Sequence, residues 1–249
     1  MISRWNDDNN KDKTLEKMFK GNKSRETQSV KAYADFFDLN LSSNTWEQLK
    51  NADISKKYGD KAVLEHFSYS FPEQGVVAVT GPSGIGKTTL LNLLLGLEKP
   101  DEGTIEIPAG TTFSAVFQED RLLEKETALE NAAIFYEGKT DGSVSLSIQG
   151  KETAKQILSE LGLADDLNTP ARDLSGGMAR RVAIARGLVA MTGPLGAKVC
   201  IMDEPIKGLD PENRKQTMDV IRKYCAGKLL IMVTHDEKDA EGADKILSF

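Results

Sequence analysis

Most of this chain alternates short, uninterrupted apolar runs with amphipathic stretches. The segments "GVVAVTG" (75–81), "KVCIMDEP" (198–205) and "KLLIMVTHD" (228–236) each hold at least four consecutive apolar residues between turn residues or charges. Runs of this kind are typical of strands in a parallel sheet that is covered on both faces. Because helical stretches such as Thr88–Leu97 separate them, the pattern predicts an α/β core.

A lobe of antiparallel strands is predicted on the N-terminal side of this core. The segments "LKNADISKKYG" (49–59) and "KAVLEHFSYSF" (61–71) predict two strands joined by a turn at Tyr58–Asp60. Two further strands are predicted from "GTIEIP" (103–108) and "TFSAVFQ" (112–118).

A helical subdomain is predicted over about residues 121–173. Thr127 and Glu130 form a capping box at the start of "ALENAAIFYE" (128–137), which predicts one helix. The segment "ETAKQILSELG" predicts a second helix that Gly162 closes.

Residues 1–48 form an N-terminal extension, and residues 49–249 form the folded domain. Asn, Asp, Lys, Ser and Thr crowd the first 28 residues, which predicts that the extension is largely disordered. The spacing of Val30, Tyr33 and Phe37 predicts a short helix. That helix would either dock onto a partner or pack weakly on its own domain.

The composition is that of an ordinary globular protein, with 39% hydrophobic residues and a net charge of -6. This acidic balance argues against nucleic-acid binding by bulk electrostatics. The two cysteines have no metal-binding spacing and are interpreted as buried or idle thiols.

No apolar window is long enough to span a bilayer, and the N-terminus lacks the apolar centre of a signal peptide. We therefore expect a cytoplasmic protein that reaches a membrane only by docking onto another chain.

The segment "GPSGIGKTT" follows an apolar strand, opens a helix and matches the phosphate-binding loop (P-loop) G-x-x-x-x-G-K-[ST]. Glycines allow successive N–H groups to face a phosphate, and the helix dipole adds positive potential. Lys87 is expected to reach the β- and γ-phosphates, and Thr88 to bind Mg²⁺. The nucleotide-binding residues of this loop are Gly81, Pro82, Ser83, Gly84, Ile85, Gly86, Lys87, Thr88 and Thr89.

An acidic pair follows the apolar run "VCIM", at the carboxyl end of a predicted strand. Open α/β sheets bind ligands at this edge. Asp203 is the candidate Mg²⁺ ligand, and Glu204 is the candidate base that polarises the attacking water.

A second candidate anion pocket opens "LSGGMARRVAIARGL" (174–188), which has the pattern of a glycine turn before a basic, amphipathic helix. Together with the P-loop, "VCIMDEP", "GLD" and "VTHD", this segment makes residues 49–249 resemble the nucleotide-binding domain of an ATP-binding cassette (ABC) transporter. The resemblance implies a P-loop NTPase core with a mostly parallel sheet, an antiparallel β lobe and a helical subdomain. It also implies that two domains pair head to tail, so that Ser175, Gly176 and Gly177 of one bind the ATP held by the P-loop of the other.

Four more positions take their roles from the resemblance. Tyr58 matches the aromatic residue that stacks on adenine, and Gln118 matches the residue that senses the γ-phosphate and Mg²⁺. Asp210 matches the D-loop at the dimer interface. His235 matches the switch histidine that bonds the γ-phosphate and links it to Glu204. Met178 and Lys207 depart from the commonest pattern, the latter where a small residue is frequent.

The resemblance implies an ATPase subunit at the inner face of the cell membrane, with ATP and Mg²⁺ as cofactors. It would form an ATP-dependent homodimer, or pair with a related ATPase subunit, and drive separate transmembrane permease subunits. Importers of the nitrate, sulfonate and taurine type are most similar, and an importer would also need an external solute-binding protein. Two alternatives stay open: a lipid or lipoprotein exporter, and a non-transport ABC ATPase that acts on ribosomes or DNA.

Overall fold

The computed structural model describes residues 49–137, 146–236 and 238–249. The predictions for residues 1–48 lie outside these ranges. The described residues form two sheets, five α-helices and one short 3-10 helix.

The predicted parallel sheet has five strands in the order β5-β6-β7-β3-β8. All four neighbouring pairs run parallel. The strands are β3 (Gly75–Thr80), β5 (Phe113–Val116), β6 (Val199–Asp203), β7 (Leu229–Val233) and β8 (Lys245–Ser248). Because β6 and β7 both lie inside the sheet, every residue of these two strands is buried.

Side chains of the parallel sheet alternate between two apolar layers. On one face, Val77, Ile201 and Ile231 pack into a core that includes the helix after the P-loop. On the other face, Met202 and Met232 pack with the helix that starts at Gly176. The expectation of a sheet covered on both faces is confirmed, since consecutive strand residues serve opposite layers.

The two cysteines are free and buried, as the sequence predicts. A hydrogen bond between Cys200 and Cys225, together with burial, raises the pKa of the Cys200 thiol well above its ordinary value. A protonated, enclosed thiol is a poor nucleophile, which fits an inert packing role.

The predicted N-terminal lobe is a separate three-stranded antiparallel sheet with the order β2-β1-β4. Its strands are β1 (Lys50–Tyr58), β2 (Lys61–Ser70) and β4 (Glu102–Glu106), and residues 59–60 make the predicted turn between β1 and β2. The buried side chains of Ile54 and Leu64 pack this lobe against the core layer that contains Val77.

Helix α1 (Lys87–Leu94) follows the P-loop and ends three residues before the predicted limit at Leu97. Gly96 adopts a positive φ of 68°, and its N–H donates to the Leu93 carbonyl. A left-handed glycine of this kind closes a helix, so the apolar run continues beyond the helical backbone.

The predicted helical subdomain contains α2 (Ala128–Ala133), α3 (Ile148–Glu160) and a 3-10 helix at Ala171–Asp173. The capping box of Thr127 and Glu130 is confirmed. Helix α2 stops before its predicted end because the Tyr136 N–H donates to the Ala133 carbonyl in a tighter turn. Helix α3 begins before the predicted segment, and Gly162 follows its end with a φ of 74°.

Helix α4 (Gly176–Thr192) packs against the sheet, and helix α5 (Pro211–Cys225) precedes β7. Neither α5 nor β8 is predicted above, although Asp210 and Pro211 give α5 a favourable N-cap and first turn. Among the residues described, no helix is both long and apolar enough to cross a bilayer.

Asn131 joins α2 to the segment that leads away from β5. Its buried side-chain oxygen accepts from the Leu123 N–H at 2.8 Å. Its amide nitrogen donates to the carbonyls of Leu123, Glu126 and Thr127 at 3.0–3.2 Å. One buried amide therefore satisfies four backbone groups of this connection.

Replacing Asn131 by Asp should destabilise the fold by about 2 kcal/mol or more, because the oxygen that replaces the amide nitrogen would face three carbonyl oxygens and could donate to none of them. Thermal and denaturant unfolding measure this loss. The matched control is Asn168→Asp on an exposed turn, where a change within about 0.5 kcal/mol is expected. Equal stability of the two variants would contradict the role given to Asn131.

Candidate functional site

The P-loop lies where the sequence predicts it, between β3 and α1. Gly81, Gly84 and Gly86 all have positive φ values. A Cβ on Gly86 would lie 2.9 Å from Cγ1 of Val63 and 3.0 Å from its carbonyl oxygen. The loop therefore requires glycine at this position both for its backbone angle and for its contact with β2.

Lys87 is buried at the first position of α1. Its ammonium donates to the carbonyls of Gly81 at 2.7 Å and Pro82 at 2.9 Å. These bonds hold the positive charge beneath the loop, where it can meet an anion that the loop encloses.

Thr88 and Asp203 come together from positions 115 residues apart. The Thr88 hydroxyl donates to a carboxylate oxygen of Asp203 at 2.9 Å. Burial raises the pKa of Asp203, and the nearby charge of Glu204 acts in the same direction. A hydroxyl beside a desolvated carboxylate is an oxygen donor set that suits a hard divalent cation.

Glu204 stands immediately after β6 with a positive φ of 48°, which is unusual for a residue with a side chain. One carboxylate oxygen lies 2.9 Å from Nδ1 of His235, and the other accepts from Lys207 at 2.5 Å. Burial acts to raise the pKa of Glu204, but the hydrogen bonds from Lys207 and His235 outweigh it and hold that pKa below the ordinary value.

These groups meet around one cavity of about 230 Å³ at the carboxyl edge of the parallel sheet. Its lining combines the P-loop with the residues after β5 and β6. The lining residues are Val63, Ser83, Gly84, Gly86, Lys87, Thr88, Thr89, Gln118, Asp203, Glu204, Lys207 and Val233. Most of the predicted phosphate, cation and base residues thus share one compartment, whereas Gly81, Pro82 and Ile85 are not part of its lining.

Tyr58 lies at the end of β1 and is 47% exposed. Its hydroxyl donates to Glu98, which also accepts from the Asn92 amide at 3.0 Å. Burial and this carboxylate raise the pKa of Tyr58. The ring is therefore tethered by its hydroxyl and exposed enough to receive a planar group.

The second candidate anion pocket is not part of this cavity. Ser175 caps α4 and is exposed, and its oxygen accepts from the Met178 N–H at 3.3 Å. A Cβ on Gly176 would meet no atom within 4 Å, and one on Gly177 would meet only Leu209 at 3.5 Å. The start of this helix is therefore open and lies outside the lining of the P-loop cavity.

Asp210 is exposed and caps α5 by accepting from the backbone and the side chain of Asn213 at 3.0 and 2.6 Å. These hydrogen bonds hold the pKa of Asp210 below its ordinary value. The carboxylate is consequently anionic and fixed at the surface.

The interpretation of α4 as a basic, amphipathic helix is wrong, because its arginines point inward. Arg180 is only 5% exposed, and its guanidinium donates to the carbonyls of Phe117, Asp203, Glu204 and Pro205 at 2.6–3.0 Å. Arg186 is also buried and donates to the carbonyls of Asp120 and Arg121. The sequence signal for this role is that the three arginines of α4, at positions 180, 181 and 186, lie among mostly apolar residues.

Comparisons with known proteins agree with this geometry. Residues 64–207 match the family described as ABC transporter. The aliphatic sulfonates import ATP-binding protein SsuB 3 of Rhodococcus jostii is 36% identical, over 78% of this chain and 68% of its own. The arginine transport ATP-binding protein ArtM of Bacillus subtilis is 35% identical, over 80% of this chain and 86% of its own.

Solved ATP-binding cassettes share the fold. One dimeric cassette, in a post-hydrolysis state with ADP and Pi, has a TM-score of 0.70 and 27% identity, and the match covers 81% of this chain and 94% of that one. A second dimeric structure, of a bacterial ABC transporter cassette, gives the same TM-score at 28% identity and the same coverage. The chain therefore belongs to the ABC transporter family, as an ATP-binding, ATP-hydrolysing subunit of the importer type.

Proposed function

We propose that this chain hydrolyses ATP only as a head-to-tail dimer, in which each nucleotide is bound by the P-loop of one protomer and by Ser175, Gly176 and Gly177 of the other. The supporting observation is the exposed N-terminus of α4, which has the features of an anion site but takes no part in the chain's own cavity. Asp210 belongs to the same dimer interface.

Within one protomer, the P-loop N–H groups and Lys87 bind the β- and γ-phosphates of ATP. Tyr58 stacks on the adenine, since its tethered ring is exposed. Ser83, Gly84 and Thr89 line the cavity beside the phosphates.

Thr88 and Asp203 are the residues that would hold Mg²⁺, with Gln118 on the γ-phosphate side of the cavity. Their oxygens fit such an ion, because the buried Asp203 carboxylate is desolvated and already contacts Thr88 at 2.9 Å. Mg²⁺ would supply charge neutralisation for the phosphates.

Glu204 is the general base. Its lowered pKa keeps it anionic near neutral pH, so it can accept a proton from the attacking water. His235 bonds to Glu204 at 2.9 Å and orients its carboxylate beside the γ-phosphate. The proton leaves water as its oxygen forms a bond to phosphorus and the bond to the ADP oxygen breaks.

The dimer drives separate permease subunits at the inner face of the cell membrane. ATP binds the closed dimer more tightly than the open one, and this difference in affinity supplies the work. We propose import of a small polar solute with the help of an external binding protein, since the sulfonate and arginine proteins named above serve importers. Sulfonate is the better supported cargo, because several relatives at 35–36% identity carry that name.

Replacing Glu204 by Gln should lower kcat by about 100-fold or more, because the amide cannot accept the proton from water. ATP binding should persist, and light scattering should show a dimer that forms only with Mg²⁺ and ATP. The control Glu152→Gln, on an exposed position of α3, should leave kcat unchanged. A Glu204→Gln variant that stays monomeric with ATP would contradict the closed dimer.

Mixing two inactive variants tests the shared site directly. Lys87→Ala removes the phosphate-binding lysine, and Ser175→Arg blocks the open start of α4. A mixed dimer contains one site with both defects and one intact site. If half of the dimers are mixed, the sample should recover roughly a quarter of wild-type ATPase activity.

The control mixture pairs Lys87→Ala with Glu204→Gln. Both residues belong to the same half of a site, so each site in this mixed dimer keeps one defect. No activity should return. The shared site would be refuted if ATPase activity returned in the control mixture. It would also be refuted if the test mixture contained mixed dimers but showed no ATPase activity.

A further inference from the structure

Lys207 is a charged residue in the nucleotide cavity to which the proposed mechanism gives no role. Its ammonium lies 2.5 Å from one Glu204 oxygen, while Nδ1 of His235 lies 2.9 Å from the other. The Glu204 side chain is 14% exposed and that of Lys207 is 52% exposed. Both oxygens of the proposed base are thus engaged by nitrogen groups.

The backbone around this pair has little freedom to separate the two side chains. Arg180 donates to the carbonyls of Glu204 and Pro205, and the Glu204 N–H donates to the Val233 carbonyl at 3.0 Å. The Lys207 N–H in turn donates to the Glu204 carbonyl at 3.2 Å. The contact between Lys207 and Glu204 can therefore open only by rotation of the two side chains.

Activation of water requires a free lone pair on Glu204 that points toward the γ-phosphate. A charge-assisted bond from Lys207 holds one oxygen in place and competes with water for it. Lys207 lines the same cavity as Gly84 and Lys87, so it stands on the side from which the water must approach.

We propose that Lys207 is a positioning residue that restrains Glu204 and slows ATP hydrolysis by this protein. Water can be activated only when the bond between Lys207 and Glu204 has opened. This inference rests on the proposed role of Glu204 as the base.

Lys207→Ala should raise kcat about three- to tenfold, which corresponds to one hydrogen bond to a partly exposed charged group. The KM for ATP should stay within about twofold, because the contact acts on the base rather than on the nucleotide. Lys207→Arg keeps a cation at the position and should keep kcat near the wild-type value. Steady-state ATPase assays on the full chain measure both constants.

Lys215→Ala is the matched control, since Lys215 is an exposed lysine on α5 outside the cavity lining. It should change neither constant. The idea is overturned if Lys207→Ala leaves kcat unchanged or lowers it. It is also overturned if the main effect is a higher KM, because Lys207 would then bind ATP.

One double variant, compared with its two single variants, separates this inference from the proposed function. Glu204→Gln/Lys207→Ala should be as inactive as Glu204→Gln, and it should dimerise with ATP at the same protein concentration. Faster hydrolysis by the double variant than by Glu204→Gln, or tighter association, would overturn the restraint. If Glu204→Gln alone hydrolyses ATP normally, the proposed function fails; if it is inactive and Lys207→Ala is neutral, only this inference fails.

Discussion

The buried guanidinium of Arg180 is the interaction on which both candidate anion sites of this molecule depend. It joins α4 to the ends of β5 and β6 through carbonyls that include those of Phe117 and Asp203. A buried cation is tolerated because carbonyls and the Asp120 carboxylate surround it. Arg180 lies five residues after the cap Ser175, so it fastens the start of α4 to the segment that carries Glu204.

The sequence was sufficient for the parts of the fold that local rules control. Continuous apolar runs identified β3, β6 and β7 because strands covered on both faces need no polar side. The P-loop was predictable for a similar reason, since its glycines and lysine must be consecutive to enclose a phosphate. Family resemblance then extended the prediction to isolated residues such as Gln118 and His235, which no local pattern distinguishes.

Contacts between distant segments escaped prediction. Arg180 donates to a carbonyl about 60 positions earlier, whereas its sequence neighbours suggested a basic, amphipathic helix. The pair of Lys207 and Glu204 depends on a turn that follows a strained, positive-φ residue. Helix α5 and strand β8 were missed because their exposed faces interrupt the apolar pattern. Tertiary placement, rather than residue type, decides each of these cases.

The bonds from Lys87 to Gly81 and Pro82 also bear on how readily ATP enters. They define the curvature of the loop before any phosphate arrives, and the contact of Gly86 with Val63 braces it from outside. A rigid receptor loses little conformational entropy when a ligand binds. In the dimer proposed above, the loss of conformational entropy during a catalytic cycle would therefore fall mainly on the approach of the two protomers, and less on the binding of ATP to each one.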